Sequence, residues 1–186
     1  MVLGTPNLQI EILALVRHTG EVWIVKPSQV DQAASWLIPH QSGVSPNDAV
    51  IQQLQRVFEG AFNPRSSIVH GTSWRYLNPE SPTQSDRLIL TYAAILQPEP
   101  KPLNVLFQRN DLTVWRFDSA QLSFGDNLRP PQTITLSNVI EHALEHFALL
   151  AMRDPYIRQI LNEDWKEFLS SQQPLPAGEL GVRNIS

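Results

Sequence analysis

The chain has no cysteine. Disulfides, thiol nucleophiles and cysteine-ligated zinc are therefore excluded. Charge is scarce: Asp, Glu, Lys and Arg make up 17% of the 186 residues. The basic residues are scattered and the formal net charge is −4, so the clustered cations that a nucleic acid polymer requires are lacking. No apolar run approaches the roughly 20 residues of a membrane-spanning helix. The opening MVLGTPNLQIEIL lacks the basic, apolar and small-residue order of a secretory signal. These absences predict a cytoplasmic protein with no nucleic acid polymer and no membrane among its partners.

What is present is enough apolar residue, 42%, to bury a real core. Residues 8–16 and 22–25 read as strands around a turn at Gly20, and Trp36-Leu37-Ile38-Pro39 as a short strand ended by proline. Residues 29–35 between them read as a loop. The clearest helix starts at Ser45, an N-cap followed by Pro46 at the first helical position and Asp48 three residues past the cap. Val50, Leu54, Val57, Phe58 and Ala61 then recur at helical spacing, and Gly60 and Pro64 stop the helix.

Strands are predicted over residues 68–76, 88–96, 105–108 and 112–117, with a polar loop over 78–86 and a stiff connector over 97–102. Residues 118–122 read as a short helical turn and 128–133 as a proline-rich loop. Ser137 is the predicted cap of a second helix, with Ile140, Ala143, Leu144, Phe147, Ala148 and Ala151 along one side. A third helix is predicted over 156–169, restarted by Asp154-Pro155, and a loose tail from Gln172. The element order predicts an α+β (mixed α/β) fold rather than a doubly wound parallel sheet.

Several of these segments resemble the Nudix superfamily. Trp36-Leu37-Ile38-Pro39 is similar to the strand leading into the Nudix box, and Gly43-Val44-Ser45-Pro46-Asn47-Asp48-Ala49 to the family's G-E-s-p-e-e-A run. Residues 88–96 (LILTYAAIL), and Val114-Trp115-Arg116-Phe117 followed by Gln121-Leu122, resemble the late Nudix strands and the turn after them. The resemblance covers residues 8–125. It implies a Nudix-like mixed sheet packed by helices over residues 1–135. Residues 136–171 would be C-terminal helices on the same domain, and 172–186 a loose tail.

It also implies a site, and here the chain departs from the pattern. The box is G-x5-E-x7-R-E-U-x-E-E-x-G-U. Carried over from the Gly43 anchor, its first glutamate falls on Val44 and its Arg-Glu pair on Gln52 and Gln53. Its apolar position falls on Leu54, its Glu-Glu pair on Arg56 and Val57, and its closing glycine on Glu59, one residue before Gly60. Nudix hydrolysis needs Mg²⁺ or Mn²⁺ held on a diphosphate by clustered carboxylates. The only acids near this helix, Asp48 and Glu59, are eleven residues apart, about 16 Å at ~1.5 Å per residue. They cannot share one ion. No catalytic or metal-binding residue is therefore assigned.

Other constellations compete. His142-Ala143-Leu144-Glu145-His146 spells H-x-x-E-H, an inverted zinc-protease motif with two histidines on one helix face. Nothing else in the chain supports a protease, and a partly exposed helix flank explains it more simply. His70-Gly71-Thr72-Ser73-Trp74-Arg75 lacks the glycine-flanked nucleophile elbow. Trp74 there has the chemistry to stack on a base and Arg75 to meet a phosphate, against the plainer reading of an edge strand with local salt bridges. His40 and Gln41 follow Pro39, near where the family's diphosphate would lie, although a polar turn explains them equally well.

The candidate ligand-contacting residues are thus His40, Gln52, Gln53, Arg56, Trp74 and Arg75. The expectation is a non-catalytic Nudix-like protein that binds a small, nucleotide-like ligand or a protein partner, with no cofactor. The C-terminal helices, with Trp165, Phe168 and Leu169, make a homodimer conceivable. The alternative is a divergent hydrolase of a nucleoside diphosphate derivative. It would use Mg²⁺ and bring Glu80, Asp86 or Glu99 from outside the box toward Glu59.

Overall fold

A computed structural model describes residues 7–28, 36–77, 87–98, 100–117 and 136–180. Strand β1 (Asn7–His18) turns at Thr19 and Gly20 into β2 (Glu21–Pro27). Both turn residues have positive φ, 52° and 78°, the backbone that suits a tight hairpin between twisted strands. Next come β3 (Trp36–Pro39), α1 (Pro46–Val57), β4 (Ile68–Leu77), β5 (Arg87–Leu96), α2 (Pro100–Gln108) and β6 (Leu112–Arg116). The chain continues as α3 (Leu136–Arg153), α4 (Pro155–Ile160), α5 (Glu163–Ser170) and a short β7 (Gly178–Glu179).

The seven strands form one mixed sheet in the order β6-β2-β1-β5-β4-β7, with β3 also paired to β1. Strand β1 is long enough to take β2 along its second half and β3 along its first, both antiparallel, while β5 runs parallel on its other side. Alternation along β1 then sorts two cores. Ile10, Ile12, Ala14 and Val16 face α1 and α2, packing on Val50, Leu54, Phe58 and Leu106. Leu13 and Leu15 face α3 and α5, packing on Ile140, Leu144, Phe147 and Trp165. The fold is a three-layer sandwich, and the two surfaces of the sheet are referred to as the α1 face and the α3 face.

Strand β4 carries an irregularity that decides what each face presents. Gly71 pairs with Tyr92 and Ser73 with Thr91, so Thr72 is an extra residue, a β-bulge. Before it, Ile68 joins the α3 core; after it, Ser73 and Arg75 continue on that face while Trp74 and Tyr76 point to the α1 face.

Three expectations need correction. Residues 105–108 are helix, not strand. Pro100 and Pro102 fit the first turn of a helix, where a missing N–H costs nothing, and Leu103 and Leu106 then pack on the α1 core. The third helix is two helices. Leu161 adopts an extended backbone (φ −65°, ψ 134°) and Asn162 caps a new start by accepting from Trp165 N at 2.9 Å. Residues 172–180 are not a loose tail: β7 pairs parallel with Ser73 and Trp74, and Leu180 is buried. The expected loops over 29–35, 78–86 and 128–133, and the helical turn over 118–122, lie outside the described residues. Among the described residues no helix is long and apolar enough to cross a membrane.

Candidate functional site: a cleft between β3 and α1

Helix α1 is set by its cap. Ser45 Oγ accepts from Asp48 N at 3.1 Å and donates to Asp48 Oδ2 at 2.7 Å, which satisfies the exposed helix start. Val50 and Leu54 are buried on the sheet. The opposite side of the helix, with β3 and the turn between them, encloses a cleft of about 410 Å³. Gln41, Gln52, Gln53 and Arg56 supply its polar wall, and Ile38, Pro39, Val44 and Ala49 its apolar wall. Arg56 Nη2 donates to Gln53 Oε1 at 2.8 Å. A larger cleft, about 610 Å³, lies on the α3 face near the β1–β2 turn. Its most buried cation, Arg17, is already bound to Asp164 at 2.7 Å and stacked on Phe168. The smaller cleft is the candidate because it gathers Gln41, Gln52, Gln53 and Arg56 at the end of β3.

From Ile38 at the cleft a row of paired residues crosses the sheet. Ile38 pairs with Ile10, Ile10 with Leu90 and Leu90 with Trp74, so all four side chains lie on the α1 face. Three strand spacings separate Ile38 from Trp74, about 14 Å at ~4.8 Å each. Trp74 is 39% and Tyr76 57% exposed.

The other face at this end of the sheet holds a buried charge pair. Arg75 donates to both oxygens of Glu11, at 2.6 and 3.0 Å, and Thr91 Oγ1 donates to Glu11 at 2.7 Å. Lys26, also buried, sits 4.6 Å from the Trp115 ring centroid.

This architecture is shared with solved structures. Shewanella oneidensis NrtR superposes with a TM-score of 0.55 at 13% identity, over 91% of this chain and 79% of that one. NrtR complexed with a 27mer DNA gives 0.52 at 13% identity, over 90% and 77%. The chain has a Nudix-type fold. C. elegans Ap4A hydrolase gives 0.39 at 8% identity, over 60% of this chain and 81% of that one. No family model matches the chain, and no curated protein matches it in sequence.

A Nudix-type fold raises the question of a divalent cation, and the donors among the described residues, which leave out Glu80, Asp86 and Glu99, do not fit one. Mg²⁺ demands several hard oxygens, chiefly carboxylate and water. The cleft offers amides and a guanidinium. Gln53 Oε1 is occupied by Arg56, whose own charge would repel the ion. Asp48 is held in the Ser45 cap at one end of α1, and Glu59 is exposed past the other. Among the described residues no group of three or more histidines or acids is placed to hold a metal.

The structure brings Gln52, Gln53 and Arg56 together in the cleft. His40 follows the end of β3 and is not part of the lining, whereas its neighbour Gln41 is. Trp74 and Arg75 were expected to serve one ligand patch, but they point to opposite faces and cannot. Arg75 is committed to Glu11. His142 and His146 are buried, 8% and 4% exposed, rather than lying on a partly exposed flank. Sequence reasoning missed Tyr76, although its spacing of two from Trp74 was a signal. It also missed Glu11, a lone acid inside an apolar strand, which in a buried strand demands a cationic partner.

Proposed function

We infer that the chain is a Nudix-like binding protein that takes a small anionic, nucleotide-like ligand in the cleft between β3 and α1 without hydrolysing it. The observation that carries this reading is the polar wall itself: three glutamines and one arginine, with no carboxylate among the described lining residues. Amide N–H groups and a guanidinium donate to phosphate oxygens directly, so the ligand's charge is met without a bridging metal. The same set lacks a general base, because a glutamine does not ionise. Trp74 and Tyr76, along the same face of the sheet, offer aromatic surface for the ligand's flat ring.

The DNA in the NrtR complex belongs to that protein. Here α5 presents Glu163, Asp164 and Glu167 against a single Lys166, a balance opposed to phosphate-backbone contact.

The test is ADP binding by calorimetry, in EDTA and again in millimolar Mg²⁺, with a parallel screen for turnover of nucleotide sugars, dinucleotides and nucleoside triphosphates. Binding should be equal in the two buffers, and Arg56→Ala should weaken it about tenfold, the equivalent of ~1.4 kcal/mol. Mg²⁺-dependent turnover that disappears in Glu59→Gln would overturn the reading in favour of a hydrolase.

A further inference from the structure

On the α3 face, His70 of β4 and His146 of α3 meet. His146 Nε2 lies 3.0 Å from His70 Nδ1, and the ring centroids are 4.8 Å apart. On its other side, His146 Nδ1 is 3.3 Å from the carbonyl oxygen of Leu175. A carbonyl only accepts, so Nδ1 carries the proton and the Nε2 lone pair is aimed at His70. Burial, reinforced by the adjacent His70 imidazole, keeps His146 neutral at pH 7. A neutral imidazole whose second nitrogen is anchored to a backbone carbonyl is the form in which histidine ligates transition metals. His70 is exposed, which opens a route from solvent.

We propose that His70 and His146 are the two protein ligands of a site for a divalent transition-metal ion of the Zn²⁺ or Ni²⁺ type. His70 would turn its Nδ1 from the Gly71 carbonyl oxygen, 2.9 Å away, and move the proton from Nδ1 to Nε2, so that both facing nitrogens present lone pairs and no proton is lost from the pair. Two nitrogens each ~2.0–2.1 Å from one tetrahedral ion stand about 3.4 Å apart. The observed 3.0 Å therefore needs to open by only a few tenths of an ångström. Imidazole nitrogens select zinc, nickel or copper over magnesium. Among the described residues no third histidine or acid completes the set, so water fills the remaining positions. The bound ion would clamp β4 to α3 at the point where Leu175 is held. The site lies across the sheet from the cleft, so it stands or falls independently of nucleotide binding.

Zinc titration of the untagged full chain at pH 7, followed by calorimetry, tests this. One ion per chain should bind, millimolar Mg²⁺ should give no heat, and His70→Ala and His146→Gln should each weaken zinc at least about tenfold. His70 is exposed, so His70→Ala keeps the fold, checked by circular dichroism, and its loss of zinc reports the missing ligand. The absence of saturable zinc heat, or zinc binding unchanged in His70→Ala, would reduce the pair to a hydrogen bond and end the proposal.

Discussion

The Arg56 guanidinium donates to the side-chain oxygen of Gln53 one turn earlier on α1, at 2.8 Å. In the register carried from Gly43, this neutral-to-cation contact stands where the resemblance implies carboxylates. Millimolar Mg²⁺ should therefore leave the melting temperature unchanged in a thermal-shift assay. Restoring acids in Gln53→Glu/Arg56→Glu/Val57→Glu should create a Mg²⁺-dependent rise, since bound ligand stabilises the folded state by mass action. A shift in the wild-type protein that disappears in Gln53→Ala would contradict the argument.

Glu11 and Arg75 form a bidentate pair with side chains only 6% and 13% exposed. Removing one member takes from a buried charge its bidentate partner, a loss of up to about 3–5 kcal/mol. Glu11→Gln and Arg75→Met should each lower the urea midpoint strongly. The double variant should recover much of the loss, because two apolar or neutral groups leave no unpaired ion. Strictly additive losses would show that the two residues do not act as a pair.

His146 gives the stability a defined pH dependence. Burial, with the imidazoles of His70 and His142, lowers it from its ordinary 6.5 to about 4 in the folded chain, against an opposing hydrogen bond to Leu175. Between those values the unfolded chain binds more protons, so stability falls as pH drops from about 6.5 toward about 4. Urea midpoints measured in EDTA at several pH values across that window should show the decline. His146→Gln, which cannot ionise, should flatten it. An equal slope in the variant would assign the effect to other groups.

Much of this fold was legible because its local signals agree. Ser45, Pro46 and Asp48 announce α1, and the stripe from Val50 to Phe58 announces which side is buried. The orientation of the predicted ligand patch was not legible. Strict alternation counted from Ile68 would put Trp74 on the α3 face and Arg75 on the α1 face, and the bulge at Thr72 reverses both. A bulge is a relation between two strands, so no spacing within one of them reveals it. The split between α4 and α5 was hidden for a similar reason. Ile157, Ile160, Leu161, Trp165 and Leu169 keep a helical period across the break. The break is held from a distance by Gln97, whose Nε2 donates to Ile160 O at 3.0 Å and whose Oε1 accepts from Asn162 N at 2.6 Å.

The extra residue at Thr72 gives β4 two reading frames, one upstream and one downstream. Excising Thr72 would merge the frames yet leave Trp74 and Arg75 opposite their present partners. Inserting a residue between Ser73 and Trp74 would turn the distal half inside out, driving an indole into the seat beside Glu11 and an arginine onto the aromatic shelf. For this strand, changes of length carry more hazard than changes of letter.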